Sequence, residues 1–206
     1  MINTRGLAGV FFGVSEWIFR VMYVHILWVV FTILGLGIFG FMPATSAVFS
    51  VIRKWLMKED DISIFPYFYQ TYKSSWKSSN LIGLVMLIIG GFLYIDIKVS
   101  QEFLKFAPLH ICLLIISFVF FLTCLYLFPV FSHYKLKPLQ YIKQSFLLAF
   151  SQPLYTISML LWVSCAYIIY IKIPVVYFFM GASILSYPIM WFSLMSFNKL
   201  AKKQIQ

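Results

Sequence analysis

The acidic residues are the first candidates for chemistry, because a carboxylate can carry a proton, bind a cation or hold a substrate. The chain of 206 residues has six acidic residues, and no two of them are spaced to share a helix face inside a bilayer. Asp96 lies in an apolar run, where an ionisable group is a functional candidate by default. Because Lys98 and Ser100 follow closely, we interpret Asp96 as the outer end of a membrane span.

The histidines and cysteines lack the spacing of a metal or nucleophile site. None of His25, His110 and His133 has a second histidine or a carboxylate three or four residues away, as a helical metal site would require. The three cysteines stand singly in apolar runs, at Cys112, Cys124 and Cys165. The chain also lacks HExxH, P-loop and GxSxG motifs. We therefore predict no catalytic residue, no metal site, no cofactor and no enzymatic activity.

The composition indicates an integral membrane protein. Hydrophobic residues make up 62% of the chain and charged residues 11%, whereas about a quarter of the residues in a soluble domain are charged. Sixteen basic and six acidic side chains are too few to cover a soluble globule of this size. The formal net charge of +10 is spread over short loops without a basic domain, so we expect contact with anionic lipid and no binding of nucleic acid.

Five continuous apolar runs predict an all-α fold, a polytopic membrane bundle of about five transmembrane helices. A helix needs about 20 apolar residues to cross the hydrocarbon core, and continuous rather than alternating hydrophobicity excludes the strands of a β-barrel. The runs cover residues 21–41, 81–95, 109–131, 154–171 and 175–197. They indicate a single integral membrane domain over residues 1–206, with the lipid bilayer as its surroundings.

Three further segments are amphipathic, and we expect them to lie at the membrane surface. The apolar run that follows Arg5 is interrupted by Glu16 and Arg20, so we predict an amphipathic helix over residues 1–20 rather than a secretory signal. The loop over residues 43–80 starts with a cationic segment, residues 43–58, that has the pattern of an interfacial helix. The loop over residues 132–152 contains a second, shorter segment of this kind. We expect both loops to be cytoplasmic and helical.

The distribution of basic residues predicts the orientation. Lys and Arg accumulate in cytoplasmic loops, and with five crossings eleven of the sixteen basic residues fall on the side of the C-terminus. We therefore predict a multi-pass protein with its N-terminus outside and its C-terminus in the cytoplasm. A sixth span, missed by hydropathy, would change this assignment.

Aromatic residues in the second half of the first loop recur at intervals of three and four, as on one face of a helix. One interpretation is that this face closes the bottom of the bundle at the membrane surface. The other is that it docks a partner protein, because aromatic residues and arginine concentrate at interface centres. The candidate docking residues are Phe65, Phe68, Tyr72, Lys73, Trp76 and Lys77.

The first half of the chain also resembles a known family. Leu27 and Trp28 stand in the first span, and a Gly-x-x-Pro-Ala-Thr-x-Ala motif follows at Gly40, Pro43, Ala44, Thr45 and Ala47. The segment before the second span contains Phe65, Phe68, Lys73, Trp76, Lys77 and Asn80. These features are similar to the YesL-like family of bacterial integral membrane proteins, which carry a domain of unknown function. Members of that family usually have Gly directly before Pro, whereas Phe41 and Met42 intervene here.

The resemblance implies a bacterial plasma-membrane location. It also implies a role accessory to sugar uptake, because such proteins are often encoded beside genes for carbohydrate ABC importers. We therefore expect a non-enzymatic accessory membrane protein that binds the permease of an oligosaccharide ABC importer or another membrane partner. The alternative is a small secondary transporter or channel for a sugar-like or other small solute. That alternative needs a polar path, for which the candidate hydroxyls are Thr32, Ser117, Thr123, Ser158, Ser164, Ser183 and Ser186.

Overall fold

The protein is built from helices, and the structure describes residues 7–59 and 61–205. In this computed structural model, seven α-helices cover most of that part of the chain, and a π-helical turn, Ser100–Leu104, extends the third. The helices are α1 (Leu7–Leu34), α2 (Ile38–Leu56), α3 (Ile64–Val99), α4 (Ala107–His133), α5 (Pro138–Ser151), α6 (Pro153–Lys172) and α7 (Pro174–Ile205). Five of them, α1, α3, α4, α6 and α7, are long and apolar enough to cross a membrane. The predicted all-α polytopic bundle is therefore confirmed.

Helix α1 is continuous where the sequence predicted a boundary. Residues 7–20 run on into the first span as one helix, which corrects the prediction of a separate surface helix over residues 1–20; residues 1–6 lie outside the described residues. The two charged residues that suggested the boundary pair with each other across one helical turn. Arg20 Nη2 donates to Glu16 Oε1 at 2.6 Å on an exposed face, so the helix accommodates both charges without a break.

A tight turn joins α1 to α2. Leu36 and Gly37 have positive φ values of 59° and 73°, in a region that glycine enters without a side-chain penalty. The predicted first span, residues 21–41, is too long, because hydrophobicity continues through this turn into α2. Gly35, Gly37 and Gly40 have the GxGxxG spacing, but a dinucleotide site requires a strand before the glycines, and here a helix precedes them.

Helix α2 lies at the centre of the bundle, in contact with α1, α3, α4 and α7. Ala44 and Ala47 are buried, and so are the small polar residues Ser46 and Ser50. The prediction that residues 43–58 form a helix at the membrane surface is therefore wrong, although α2 covers most of that segment. In the sequence, Ser46 and Ser50 suggested a solvated face of the helix. In the structure they pack between helices, and Ser50 Oγ donates to Ser46 O at 2.9 Å.

The length and direction of α2 make it a sixth traverse of the bundle. Trp28 Nε1 of α1 donates to Thr45 Oγ1 at 3.0 Å, and Met42 lies against Gly83 of α3. The helix has 19 residues, which corresponds to about 28 Å and is close to the ~30 Å thickness of the hydrocarbon core. The chain therefore passes along the bundle three times before α4 begins.

Helix α3 merges two elements that the sequence predicted as separate. Its 36 residues make a helix of about 54 Å, which contains both the second half of the predicted 43–80 loop and the second span. The residues that link α2 to α3 are confined to 57–63. The first part of α3 packs against α2, and its last part, around Gly90, packs against Phe120 of α4.

The described ends of the chain lie at the same end of the bundle. Helix α7 runs antiparallel to α1: Trp17 packs edge-on against Tyr187 at 5.7 Å between ring centroids, and further along α1 His25 bonds to Phe178. We call this the terminal end, and the opposite end, with the α1–α2, α3–α4 and α6–α7 connections, the turn end. The prediction of termini on opposite sides assumed five crossings, whereas the antiparallel packing of α1 and α7 brings the described ends of the chain together.

Helix α5 lies across the terminal end. The hydroxyl of Tyr141 donates to Tyr134 O at 3.2 Å and accepts the Leu136 N–H at 3.0 Å, which fixes the start of α5 beside the end of α4. At its other end, Ser151 lines a hollow together with Ala201 of α7. Helix α5 therefore leads the chain from the end of α4 to the start of α6 without crossing the bundle.

Candidate functional site

His25 of α1 is hydrogen-bonded through both ring nitrogens to the backbone of α7. Ala182 N–H donates to Nδ1 at 3.1 Å, and Nε2 lies 3.0 Å from Phe178 O. Because Nδ1 accepts a hydrogen bond, the proton of the neutral imidazole is on Nε2, which donates to the Phe178 carbonyl. The ring is buried and has no lone pair left for a metal, so it fastens α1 to α7 rather than performing acid–base chemistry.

Trp28, one turn further along α1, fastens that helix to α2. Its indole Nε1–H donates to Thr45 Oγ1 at 3.0 Å, and the Thr45 hydroxyl donates in turn to Phe41 O at 2.7 Å. The Trp28 ring stacks on His25, with 5.7 Å between ring centroids and 20° between planes. Trp28 and Thr45 belong to the motif that carries the family resemblance, and here they join the first two helices.

A cavity of about 610 Å³ opens beside these two residues, between α1, α2, α4, α6 and α7. That volume is in the range of small-molecule binding sites. Its inner end is closed by Phe49 of α2 and Phe128 of α4, which stack at 5.7 Å between centroids and 11° between planes. Near the turn end it is lined by Tyr170 and Tyr177, and the Tyr170 hydroxyl donates to Gly181 O at 2.7 Å. We call this space the α1–α7 cavity.

The α1–α7 cavity offers hydrocarbon surface and few free polar groups. The nitrogens of His25 and Trp28 and the hydroxyl protons of Thr45 and Tyr170 are already engaged within the protein. Among the residues that the structure describes, no group of three His, Cys, Asp or Glu side chains could hold a metal ion. The arrangement can therefore bind an apolar group, and its polar side chains hold the helices around that group.

The predicted docking residues do not form an exposed surface. Phe68 and Tyr72 are buried and pack on Phe31 of α1, with ring centroids 5.3 Å and 4.9 Å from it. The Tyr72 hydroxyl donates to Phe31 O at 3.1 Å, and the half-buried Trp76 packs edge-on against Tyr72. The remaining three are exposed: Phe65, Lys73 and Lys77. The three-and-four spacing marked a real packing face, but α1 of the same chain covers Phe68 and Tyr72, which are therefore not available to a partner. Docking at the exposed residues stays a prediction.

The seven candidate hydroxyls of a polar path are scattered through the bundle. Thr123, Ser158 and Ser164 each donate to the carbonyl four residues earlier in their own helix, at 2.9 to 3.0 Å. Ser164 is exposed on the outside of α6, whereas Ser183 and Ser186 are buried on α7. These positions do not line a common channel.

Asp96 lies near the turn end of α3, on an exposed part of the helix. Lys98 and Glu102, which follow it, approach each other with 3.8 Å between Nζ and Oε1. The three charged residues therefore lie together near the end of the helix, away from the α1–α7 cavity.

Sequence reasoning did not find the α1–α7 cavity. The available signal was His25, an ionisable residue in the middle of an apolar span. Its partners are backbone groups of Phe178 and Ala182, 153 and 157 residues away. Every residue type has such backbone groups, so the sequence does not indicate which of them His25 would bind.

Replacing His25 with phenylalanine is expected to lower the free energy of unfolding by about 1 kcal/mol, because hydrogen bonds inside membrane proteins average about 0.6 kcal/mol each and two are lost. The measurement is reversible unfolding in mixed micelles. His110→Phe is the control, because the His110 Nδ1 has no hydrogen-bond partner and its loss should change little. Equal stabilities of the two variants would contradict the role assigned to His25.

Comparison with known proteins places the chain in a family. Residues 21–97, from α1 to the end of α3, match the family model described as protein of unknown function, DUF624. The chain is 37% identical to YteU of Bacillus subtilis strain 168, over 84% of this chain and 78% of that protein. It is 34% identical to YesV of the same organism over 89% of each chain, and 36% identical to YesL over 69% of this chain and 68% of YesL. No solved structure matches the chain.

All three relatives are described as uncharacterized proteins. They therefore indicate common ancestry but do not indicate an activity for this chain. Their similarity extends through most of the bundle, beyond the three helices that the family model covers. The chain therefore belongs to the YesL-like family of membrane proteins that share the DUF624 domain.

Proposed function

We propose that this protein is a non-enzymatic accessory protein of the bacterial plasma membrane, which binds the permease of an oligosaccharide ABC importer or another membrane partner. The resemblance to proteins often encoded beside carbohydrate importers supports this proposal. It is also supported by one feature of the bundle, the hairpin formed by the turn-end halves of α3 and α4.

The turn-end part of this hairpin, residues 87–99 and 107–121, is sparsely covered, and α5 adjoins it at a hollow lined by Leu93, Ile116 and Ile142. In both segments every residue remains at least partly exposed. Between helices in lipid, close packing rather than hydrophobicity drives association, and small residues permit the closest approach. A Cβ atom placed on Gly91 would have nothing within 4 Å, so a helix of a partner could approach the backbone of α3 at this glycine. The α3–α4 hairpin is therefore the surface we assign to the permease.

The basic residues support a cytoplasmic location for the terminal end. Fifteen of them lie in the described residues, and three of these, Lys98, Lys105 and Lys172, lie at the turn end. Two more, Lys73 and Lys77, lie on α3 close to Tyr72, whose hydroxyl reaches the α1–α2 turn. The remaining ten lie toward the terminal end, and an excess of Lys and Arg marks the cytoplasmic side. We therefore propose that both ends of the chain are cytoplasmic and that the α3–α4 hairpin reaches the outer leaflet.

Replacing Gly91 with leucine is expected to reduce the amount of importer permease that co-purifies with the tagged protein by about tenfold, which corresponds to about 1.4 kcal/mol of binding energy. The leucine side chain blocks close approach of a partner helix, and its Cβ atom meets nothing of this chain within 4 Å. The measurement is mass-spectrometric quantification of proteins captured from cross-linked native membranes.

The matched control for this experiment is Gly13→Leu on α1, because a Cβ atom at Gly13 likewise meets nothing within 4 Å. We expect it to capture as much permease as the wild-type protein. Equal capture by both variants would refute the assignment of the hairpin, and a wild-type protein that captures no membrane partner would refute the accessory function. Sugar uptake by proteoliposomes containing this protein alone would favour the transporter alternative instead.

A further inference from the structure

The α1–α7 cavity is continuous with the outer, lipid-facing surface of the bundle. Its rim includes Ile26 and Val30 of α1 and Phe178 of α7, which are 47%, 44% and 72% exposed. These side chains lie on helices that are long and apolar enough to cross a membrane. The space between them therefore opens sideways into the hydrocarbon, where the neighbouring molecules are lipids.

The polar groups of the cavity argue against a sugar or a cluster of water molecules as its occupant. A buried water needs two to four polar partners, and a sugar needs several donors and acceptors. The nitrogens of His25, the indole N–H of Trp28 and the hydroxyl proton of Tyr170 are bound to groups of the protein itself. That leaves the hydroxyls of Tyr177 and Ser186 as polar groups of the lining for a ligand, too few for a sugar, whereas a hydrocarbon chain leaves every existing bond in place.

The depth of the cavity matches one leaflet of a bilayer. Along α7 its lining extends from Tyr177 to Ile189, and twelve residues of α-helix correspond to about 18 Å. Half of the ~30 Å hydrocarbon core is about 15 Å. The deep end is closed by the stacked rings of Phe49 and Phe128, so a chain that enters from the turn end stops near the middle of the bilayer.

We propose that the α1–α7 cavity binds one acyl chain of a phospholipid from the leaflet at the turn end. The chain lies against Trp28 and the aromatic residues of α7, and His25 holds the two walls together. The headgroup then lies at the level of the α6–α7 turn, where Lys172 is exposed and attracts the phosphate. This site is separate from the α3–α4 hairpin, so it does not depend on the proposed partner.

The experiment is native mass spectrometry of the full-length protein after reconstitution into phosphatidylglycerol nanodiscs and transfer to detergent. We expect the wild-type protein to retain one phospholipid. Two variants fill the cavity from opposite walls, Cys124→Trp on α4 and Ala182→Phe on α7, since both residues line it. Each is expected to lower the lipid-bound population by about tenfold.

Cys112→Trp is the matched control, because Cys112 is an exposed residue of α4 outside the cavity, and we expect it to retain the phospholipid. The use of two filling variants protects the test against misfolding of one of them. Unchanged lipid retention in both variants would overturn the proposal. Purification of the wild-type protein with no lipid, with a free fatty acid in place of phospholipid, or as a dimer that covers the cavity would overturn it as well.

Discussion

Replacing Gly40 with alanine is expected to lower the free energy of unfolding by about 3 kcal/mol or more, although it adds a single methyl group. A Cβ atom at this position would lie 2.5 Å from Thr32 O and 2.7 Å from Phe31 O. Both are backbone atoms of α1, which cannot move aside without separating α1 from α2. Forcing extra atoms into a packed interface costs about 1–3 kcal/mol and sometimes more, and here there is no flexible side chain to yield.

The measurement is the midpoint of reversible unfolding in mixed micelles, followed by tryptophan fluorescence. Gly91→Ala is the matched control, because nothing lies within 4 Å of a Cβ atom there and alanine is the better helix former. We expect the control to be at least as stable as the wild-type protein. If Gly40→Ala unfolded at the same denaturant concentration as Gly91→Ala, the close packing of the α1–α2 pair would be refuted.

Single cysteines introduced at Gly9, Lys58 and Lys202 are expected to react with a membrane-impermeant maleimide from the same side of the membrane, and a cysteine at Lys105 from the other side. The three positions lie at the terminal end and Lys105 at the turn end. The expected effect is close to all-or-none, because a charged reagent does not cross the hydrocarbon core. Labelling is compared between intact spheroplasts and inside-out vesicles, in a background where the three native cysteines are alanine.

A five-crossing chain gives a different result, with positions 9 and 202 labelled from opposite sides. That outcome would show that α2 does not traverse the membrane. If positions 9, 58 and 202 react in inside-out vesicles but not in spheroplasts, the terminal end is cytoplasmic, as proposed. If they react in spheroplasts but not in inside-out vesicles, the terminal end is outside the cell, and the six-traverse arrangement is unaffected.

The sequence was sufficient to predict the five apolar helices and a helix over residues 43–58, but not the central position of α2, and the reason is physical. Hydropathy measures what a helix would gain from lipid around it. Helix α2 is surrounded by other helices, so Ser46, Ser50 and Pro43 are tolerated on faces that never meet lipid or water. These residues, and Arg53 and Lys54 at its end, lower the mean hydropathy of α2. The sequence of this central helix therefore resembles that of a surface helix.

The aromatic segment of α3 shows a second limit of sequence reasoning. Phe68 and Tyr72 were correctly identified as members of one packing face, because spacing reports which side of a helix is apolar. Spacing does not report what covers that side. The covering residue is Phe31, which lies in a different helix and is separated from Tyr72 by 41 positions. A candidate docking surface and an internal packing surface have the same periodicity in a single sequence.

The central position of α2 also has a consequence for synthesis of the protein. A helix that inserts alone must gain enough from lipid contact to offset the cost of its polar residues. Helix α2 is not among the five helices whose length and composition suffice to cross a membrane. We therefore expect α1 and α2 to enter the bilayer together, joined by the turn at Leu36 and Gly37. A chain in which that pairing failed would leave α2 behind and translocate every later segment in the inverted orientation.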